Sequence, residues 1–132
     1  MLVPMQLARI VIVDAPEEKA SMIILHEVDG DRAFPILIGL SEAYAIDRRT
    51  KSVPVPRPMT HDLMMSVIEH LDGKLEQIII NELRDQTFFA RLLIRRNGEL
   101  IEVDARPSDA IALSAGTKTP ILVDESVLKE VC

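Results

Sequence analysis

The sequence predicts a single α+β domain, built as two β-β-β-α repeats that share a mixed or antiparallel sheet, with one helix inserted between them. Three observations predict it. Short β-branched runs bounded by turn residues come in two groups of three. A helix-start pattern follows each group. A shift of 67 residues also lays Ser41-Glu42-Ala43-Tyr44-Ala45-Ile46 on Ser108-Asp109-Ala110-Ile111-Ala112-Leu113, with Lys51 falling on Lys118. Both segments read Ser, acid, Ala, bulky, Ala, aliphatic, and duplication is the better reading of the match. The 132 residues suit one domain, with repeat halves at about 6–52 and 75–118 and the inserted helix at about 60–72. The hydrophobic fraction is 48%, with three Phe, one Tyr and no Trp, so aliphatics and the six Met must fill the core.

Gln6 to Val13 is rich in β-branched residues and runs into Asp14-Ala15-Pro16, so it reads as a strand closed by a turn. Ser21 to Val28 is the second strand, and Asp29-Gly30-Asp31 a hairpin turn. Ala33 to Ile38 is the third. Its Pro35 has no N–H to donate, which places that stretch at an edge or a non-bonded position. Gly39 breaks the strand. Ser41 is the candidate N-cap of a helix reaching about Thr50, and Glu42 suits its dipole. Val53-Pro54-Val55-Pro56-Arg57-Pro58 must be an extended connector inside the domain.

Thr60 is the candidate cap of the inserted helix. Leu63, Met64, Val67, Ile68 and Leu71 share one apolar face of it, with Leu63, Met64, Val67 and Ile68 expected in the core, and Asp72-Gly73 ends it. Leu75 to Leu83, Thr87 to Arg95 and Leu100 to Ala105 read as three strands. They are joined at Arg84-Asp85-Gln86 and at Asn97-Gly98, the latter a type I′ hairpin signal. Pro107 fits the first turn of a helix running from Ser108 to about Gly116. Pro120 to Val123 is a short strand, and Ser126 to Val131 a final helical turn or two.

The net charge of −6 repels polyanions at long range and argues against non-specific, charge-driven binding of nucleic acid. A single cysteine, Cys132, allows neither an intrachain disulfide nor a Cys-rich zinc site. No signal peptide is recognisable, because Met1 to Met5 contains a proline and leads into Gln6 and Arg9. No apolar run approaches the roughly 18–20 residues that span a bilayer. A cytoplasmic protein without membrane contact is expected.

The densest polar constellation is Asp104-Ala105-Arg106-Pro107-Ser108-Asp109, at a strand-to-helix junction where functional groups often gather. Asp104 and Asp109 could hold a divalent cation and Arg106 a phosphate. The plainer reading is that Ser108 or Asp109 caps the helix and Arg106 pairs with a carboxylate. His61 and Asp62 stand at a second helix start, where His61 could serve as a base or simply be a surface residue. Arg48, Arg49, Lys51 and Arg57 form a local basic stretch, and Arg91 and Arg95 share one face of a strand. These are the candidate phosphate contacts, set against a solvated mixed-charge surface. Phosphate-binding Gly-rich loops, HExxH, Gly-x-Ser-x-Gly and EF-hand loops are all missing.

Phe34-Pro35-Ile36-Leu37-Ile38-Gly39, Glu42-Ala43, Arg57-Pro58-Met59-Thr60-His61-Asp62-Leu63, Thr87-Phe88-Phe89-Ala90 and Val103-Asp104-Ala105-Arg106-Pro107-Ser108-Asp109-Ala110-Ile111-Ala112-Leu113 resemble the bifunctional nuclease domain family over nearly the whole chain. One departure is Ser114-Ala115-Gly116-Thr117-Lys118, where the family often has Ala-Leu-Arg. The resemblance implies cleavage of RNA and DNA, an activity described for plant members. On that reading Asp104, Asp109 and Glu42 would bind Mg²⁺ or Mn²⁺, which would activate water. His61 would act as base, with Asp62 and Ser108 beside it, and Arg57 and Arg106 would hold phosphate oxygens, helped by Arg48, Arg49 and Arg91. The alternative is a non-catalytic ligand- or protein-binding module in which the same polar groups lock the two halves together. Open carboxylates in a cleft favour the first reading; buried, mutually satisfied ones favour the second.

A homodimer is also expected. The strand bearing Leu7, Ile10, Val11, Ile12 and Val13 and the stripe of Val127, Leu128 and Val131 carry more apolar surface than a domain this small readily covers.

Overall fold

The computed structural model describes residues 1–13 and 20–132. The elements run β1 (Leu2–Val11), β2 (Ser21–Glu27), β3 (Ala33–Ile38), α1 (Leu40–Thr50), α2 (Thr60–His70), β4 (Gly73–Arg84), β5 (Thr87–Arg96), β6 (Glu99–Ala105), α3 (Pro107–Thr117), β7 (Ile121–Asp124) and α4 (Glu125–Val131). The strands form one sheet in the order β3-β2-β1-β7-β4-β5-β6. Every neighbouring pair is antiparallel except β4 and β7, which are parallel, so the sheet is mixed. β1–β3 followed by α1 make one wing, and β4–β6 followed by α3 the other. The 67-residue shift that aligns the two serine segments also carries the bounds of α1 onto those of α3. The expected α+β domain is therefore present; the turn expected at Asp14-Ala15-Pro16 lies outside the described residues.

Local chemistry accounts for most boundaries. Asn97 and Gly98 both have positive φ, at 49° and 80°, as a type I′ hairpin requires. β3 is an outer strand, so Pro35 costs its ladder little. β1 begins earlier than its proline suggested: Pro4 pairs with Leu122 of β7, whereas the β2 ladder starts only at Met5 opposite Glu27. Pro107 opens α3 as expected.

The helix caps differ from expectation. Gly39, Met59 and Arg106 hold the N-cap positions of α1, α2 and α3, so Ser41, Thr60, Ser108 and Asp109 already lie inside their helices. On α2 the orphan N–H of Met59 is met from within the first turn, by the Asp62 carboxylate at 3.0 Å.

The core is aliphatic, centred on Ile23, Leu25, Ile46, Ile78, Ile80, Ile111, Leu113 and Leu128. Two expectations about covered surface fail. On α2 the buried positions are His61 and Met65, with Ile68 packed against the core. Leu63, Met64, Val67 and Leu71 are exposed. The expected apolar face exists, but it is turned away from the sheet. Conversely, β1 sits in the middle of the sheet, and Val127 and Leu128 are fully covered within the chain. Leu7, Ile10, Val11, Ile12, Val13 and Val131 are half-buried, so the surface that prompted the expectation of a homodimer is largely covered within the chain.

Candidate active site

Two carboxylates organise the region where α1, α2 and α3 meet. Asp62, in the first turn of α2, accepts from Arg49 Nη1 and from the Met59 N–H, and forms an ion pair with Arg48, whose Nη2 lies 3.1 Å away. Arg49 is buried. It also donates from Nε to the carbonyl of Ala112 at 2.6 Å and from Nη2 to that of Leu113 at 3.4 Å. One guanidinium therefore ties α1 to the middle of α3 and to the start of α2. Burial alone would raise the Asp62 pKa, but the Met59 N–H and the two arginines outweigh it and hold the group below the usual carboxylate range.

Asp109, in the first turn of α3, forms the second node. Its Oδ1 lies 2.9 Å from His61 Nε2, and its Oδ2 accepts from Arg106 Nε at 3.0 Å. Here too burial pushes the pKa upward, while the hydrogen bonds from His61 and Arg106 push it further down, so Asp109 is held as a carboxylate. His61 is buried against it, whereas Arg106 is largely exposed.

An open cavity of about 390 Å³ lies over this second node. It is lined by Ser41, Glu42, Tyr44, Ala45, Arg48, Met59, Thr60, His61, Arg106 and Asp109. It holds a carboxylate-braced imidazole, two guanidinium groups, a second carboxylate and three hydroxyls. Such a set can move a proton and hold an anion.

The structure brings together only part of the expected set. His61, Asp109, Arg106, Glu42 and Arg48 share the cavity. Ser108 lines a neighbouring one. Asp62 and Arg49 are packing residues: Arg49 is taken up by Asp62 and the α3 backbone, and Asp62 by Arg49, Arg48 and the Met59 N–H. Asp104 is exposed on β6, opposite Arg91 of β5, and Arg91 in turn lies 3.9 Å from Glu102. Arg57 is exposed in the connector before α2. Lys118, the C-cap of α3, stands at the opposite end of that helix from Arg106.

The expected Mg²⁺ or Mn²⁺ ligands do not converge. Glu42 and Asp109 line one cavity while Asp104 lies outside it, and both Asp109 oxygens are engaged. Among the described residues no group of three His, Cys, Asp or Glu is placed to hold an ion. Tyr44 was not singled out beforehand as a site residue; only its helical spacing to Ser41 could have suggested it.

An α+β domain with a His–Asp pair joining the starts of two helices and a basic rim beside it fits a hydrolytic or anion-binding protein. Comparison with known proteins is more specific. A sequence model of the bifunctional nuclease domain matches residues 23–132, and the chain belongs to that family. It is 42% identical over 118 residues to an uncharacterized protein of Mycobacterium tuberculosis, covering 89% of this chain and 70% of that protein. It is 26% identical over 109 residues to bifunctional nuclease 1 of Oryza sativa subsp. japonica and 27% identical to bifunctional nuclease 2 of the same plant. The chain spans only about a third of those plant proteins, 33% and 34% respectively. Among the described residues no helix is long and apolar enough to cross a membrane.

Proposed function

We propose that the protein hydrolyses phosphodiester bonds of RNA, DNA or both in the cavity over Asp109. The observation that carries this reading is the His61 Nε2–Asp109 Oδ1 contact of 2.9 Å at the edge of an open cavity flanked by Arg48 and Arg106. Asp109 fixes the orientation of the imidazole ring through that contact. His61, through the ring nitrogen not bonded to Asp109, takes a proton from the attacking water as its oxygen bonds the phosphorus, and returns it to the ester oxygen that departs as the P–O bond breaks. Arg106 and Arg48 stabilise the charge that grows on the phosphate oxygens. The donor set does not fit a resident metal, so no step is routed through one. The family membership and the nuclease names of the plant relatives support the reading.

The test is cleavage of defined single- and double-stranded RNA and DNA, in Mg²⁺, in Mn²⁺ and in chelator, by material freed of contaminating nucleases. His61→Ala and Asp109→Asn are each expected to lower the rate by about 10²-fold or more while leaving the fold intact. Full activity in both variants, or none in the parent, sinks the proposal.

A second reading has its own support. The Asp62–Arg49 node is closed and joins three helices, as a structural lock would. A binding module without chemistry would use the same cavity and would show ligand affinity with no turnover.

We further propose a cytoplasmic homodimer. The lone cysteine suits a reducing compartment. The dimer rests on different residues from those first considered. β6 is an outer strand with neither a proline nor a bulge in its ladder, and Leu100, Ile101 and Val103 are exposed on it. Met64, Val67 and Leu71 on α2 add a second uncovered apolar stripe.

A further inference from the structure

A second cavity, of about 540 Å³, opens beside the first and shares Glu42 and Arg106 with it. Its other walls come from three places distant in sequence: Ile36 and Ile38 on the outer strand β3, Gln86 and Phe88 at the β4–β5 hairpin, and Ser108 at the start of α3. These walls differ in chemistry. Ile36 and Ile38 are buried, and the half-buried Phe88 ring is braced by Phe34, with centroids 5.8 Å apart and planes 29° apart. Gln86 is exposed at the rim.

Two details mark this cavity as more than a gap in packing. Ser108 is only 7% exposed, yet among the described residues its hydroxyl has no hydrogen-bond partner. Ser108 borders this cavity, so its hydroxyl is free to bond what enters it. Gln86 is held at φ 64° beside Asp85 at φ 51°, a left-handed pair that favours Asn and Gly. The two residues form the turn of the β4–β5 hairpin, which requires positive φ at both positions and holds the Gln86 side chain at the rim of the cavity.

We propose that this cavity is a nucleobase subsite, taking one unstacked base of a single-stranded substrate while the adjoining phosphate reaches Arg106 at the junction of the two cavities. The proposal rests on the nuclease reading for the identity of its ligand and adds how that ligand is gripped. The apolar wall and the Phe88 ring accept the face of a base. The Gln86 amide both donates and accepts, as reading a base edge requires. The Ser108 hydroxyl can donate to or accept from the same base. With a net charge of −6, non-specific attraction to phosphates is weak, so a pocket of this kind must supply affinity.

Calorimetric titration of the whole chain with the four nucleoside 5′-monophosphates, ribose 5-phosphate and inorganic phosphate, at fixed salt, decides the matter. At least one nucleotide should bind about tenfold more tightly than ribose 5-phosphate. Gln86→Gly suits the left-handed turn, so its melting temperature should hold or rise while that preference shrinks several-fold. Ser108→Ala should shrink it as well. Nucleotides that bind no more tightly than ribose 5-phosphate overturn the proposal, as does a preference unchanged in both variants. Base preference without cleavage leaves the subsite standing and removes the hydrolytic reading. Cleavage without base preference does the reverse.

Discussion

Arg49 shows how one residue can set the value of its neighbours. Its guanidinium lies against Gly116, and a Cβ there would run into it. Replacing an ordinary helical glycine by alanine adds stability, by about 1 kcal/mol. Gly116→Ala should do the opposite, because the methyl displaces a buried group bonded to Ala112, Leu113 and Asp62. A melting temperature that rises in this variant refutes the packing described. Asp62 gives a pH signature. Its pKa is depressed in the folded chain, so its stabilising effect is complete above the ordinary aspartate value of about 3.9 and disappears as pH falls through the lower folded value. Asp62→Asn should therefore melt below the parent at pH 7, and the gap should narrow toward pH 3. Thermal melts of both proteins across that range test this. Residue types at the site were legible in the sequence, since His61, Arg106 and Asp109 stand at helix starts. Their meeting was not, because His61 and Asp109 are 48 positions apart and no local pattern reports a contact between helices. Asp62 looked catalytic for the same reason: nothing nearby in the sequence reveals that buried Arg49 is its partner.

Among the elements, α2 separates what periodicity can tell from what it cannot. The apolar spacing of Leu63, Met64, Val67 and Leu71 correctly signalled a helix, but a helix with apolar residues on two sides does not announce which side meets the sheet. Asp62 faces α1 through Arg48 and Arg49, and at about 100° per residue Val67 and Leu71 lie on the far side of the helix from it. Met65→Asp should consequently cost several kcal/mol, since it buries a charge with no partner. Val67→Asp should shift the melting temperature of the single chain by little, Val67 being 48% exposed. Comparable losses in the two variants would mean the face is wrongly placed. Strands were easier to read, because β-branched runs end at residues that make turns: Asn97-Gly98 and Pro107 fell where their backbone chemistry requires. The start of β1 was missed because Pro4 argues against a strand until one sees that β2 has already stopped pairing there.

At the scale of the molecule, the two outer strands are unequal. β3 carries Pro35, whereas β6 pairs with β5 without interruption and leaves its other side bare. Ile101 and Val103 sit opposite Ile94 and Leu92, so they share the sheet face of those residues. Light scattering at micromolar concentration should give twice the chain mass, and Ile101→Lys with Val103→Lys should return it to one chain. A parent mass near one chain at every concentration would end the dimer proposal. The two wings are joined through β7, four residues long, antiparallel to β1 along Leu2–Met5 and parallel to β4 along Ile78–Ile80. That arrangement puts a clock into biosynthesis. Leu2 leaves the ribosome well before its partner Asp124, which follows on the order of ten seconds later. During that interval β1 can pair with β2 while its other side stays open. The species most exposed to misassociation is therefore the nascent chain, and the last strand to be made is the one that closes the sheet.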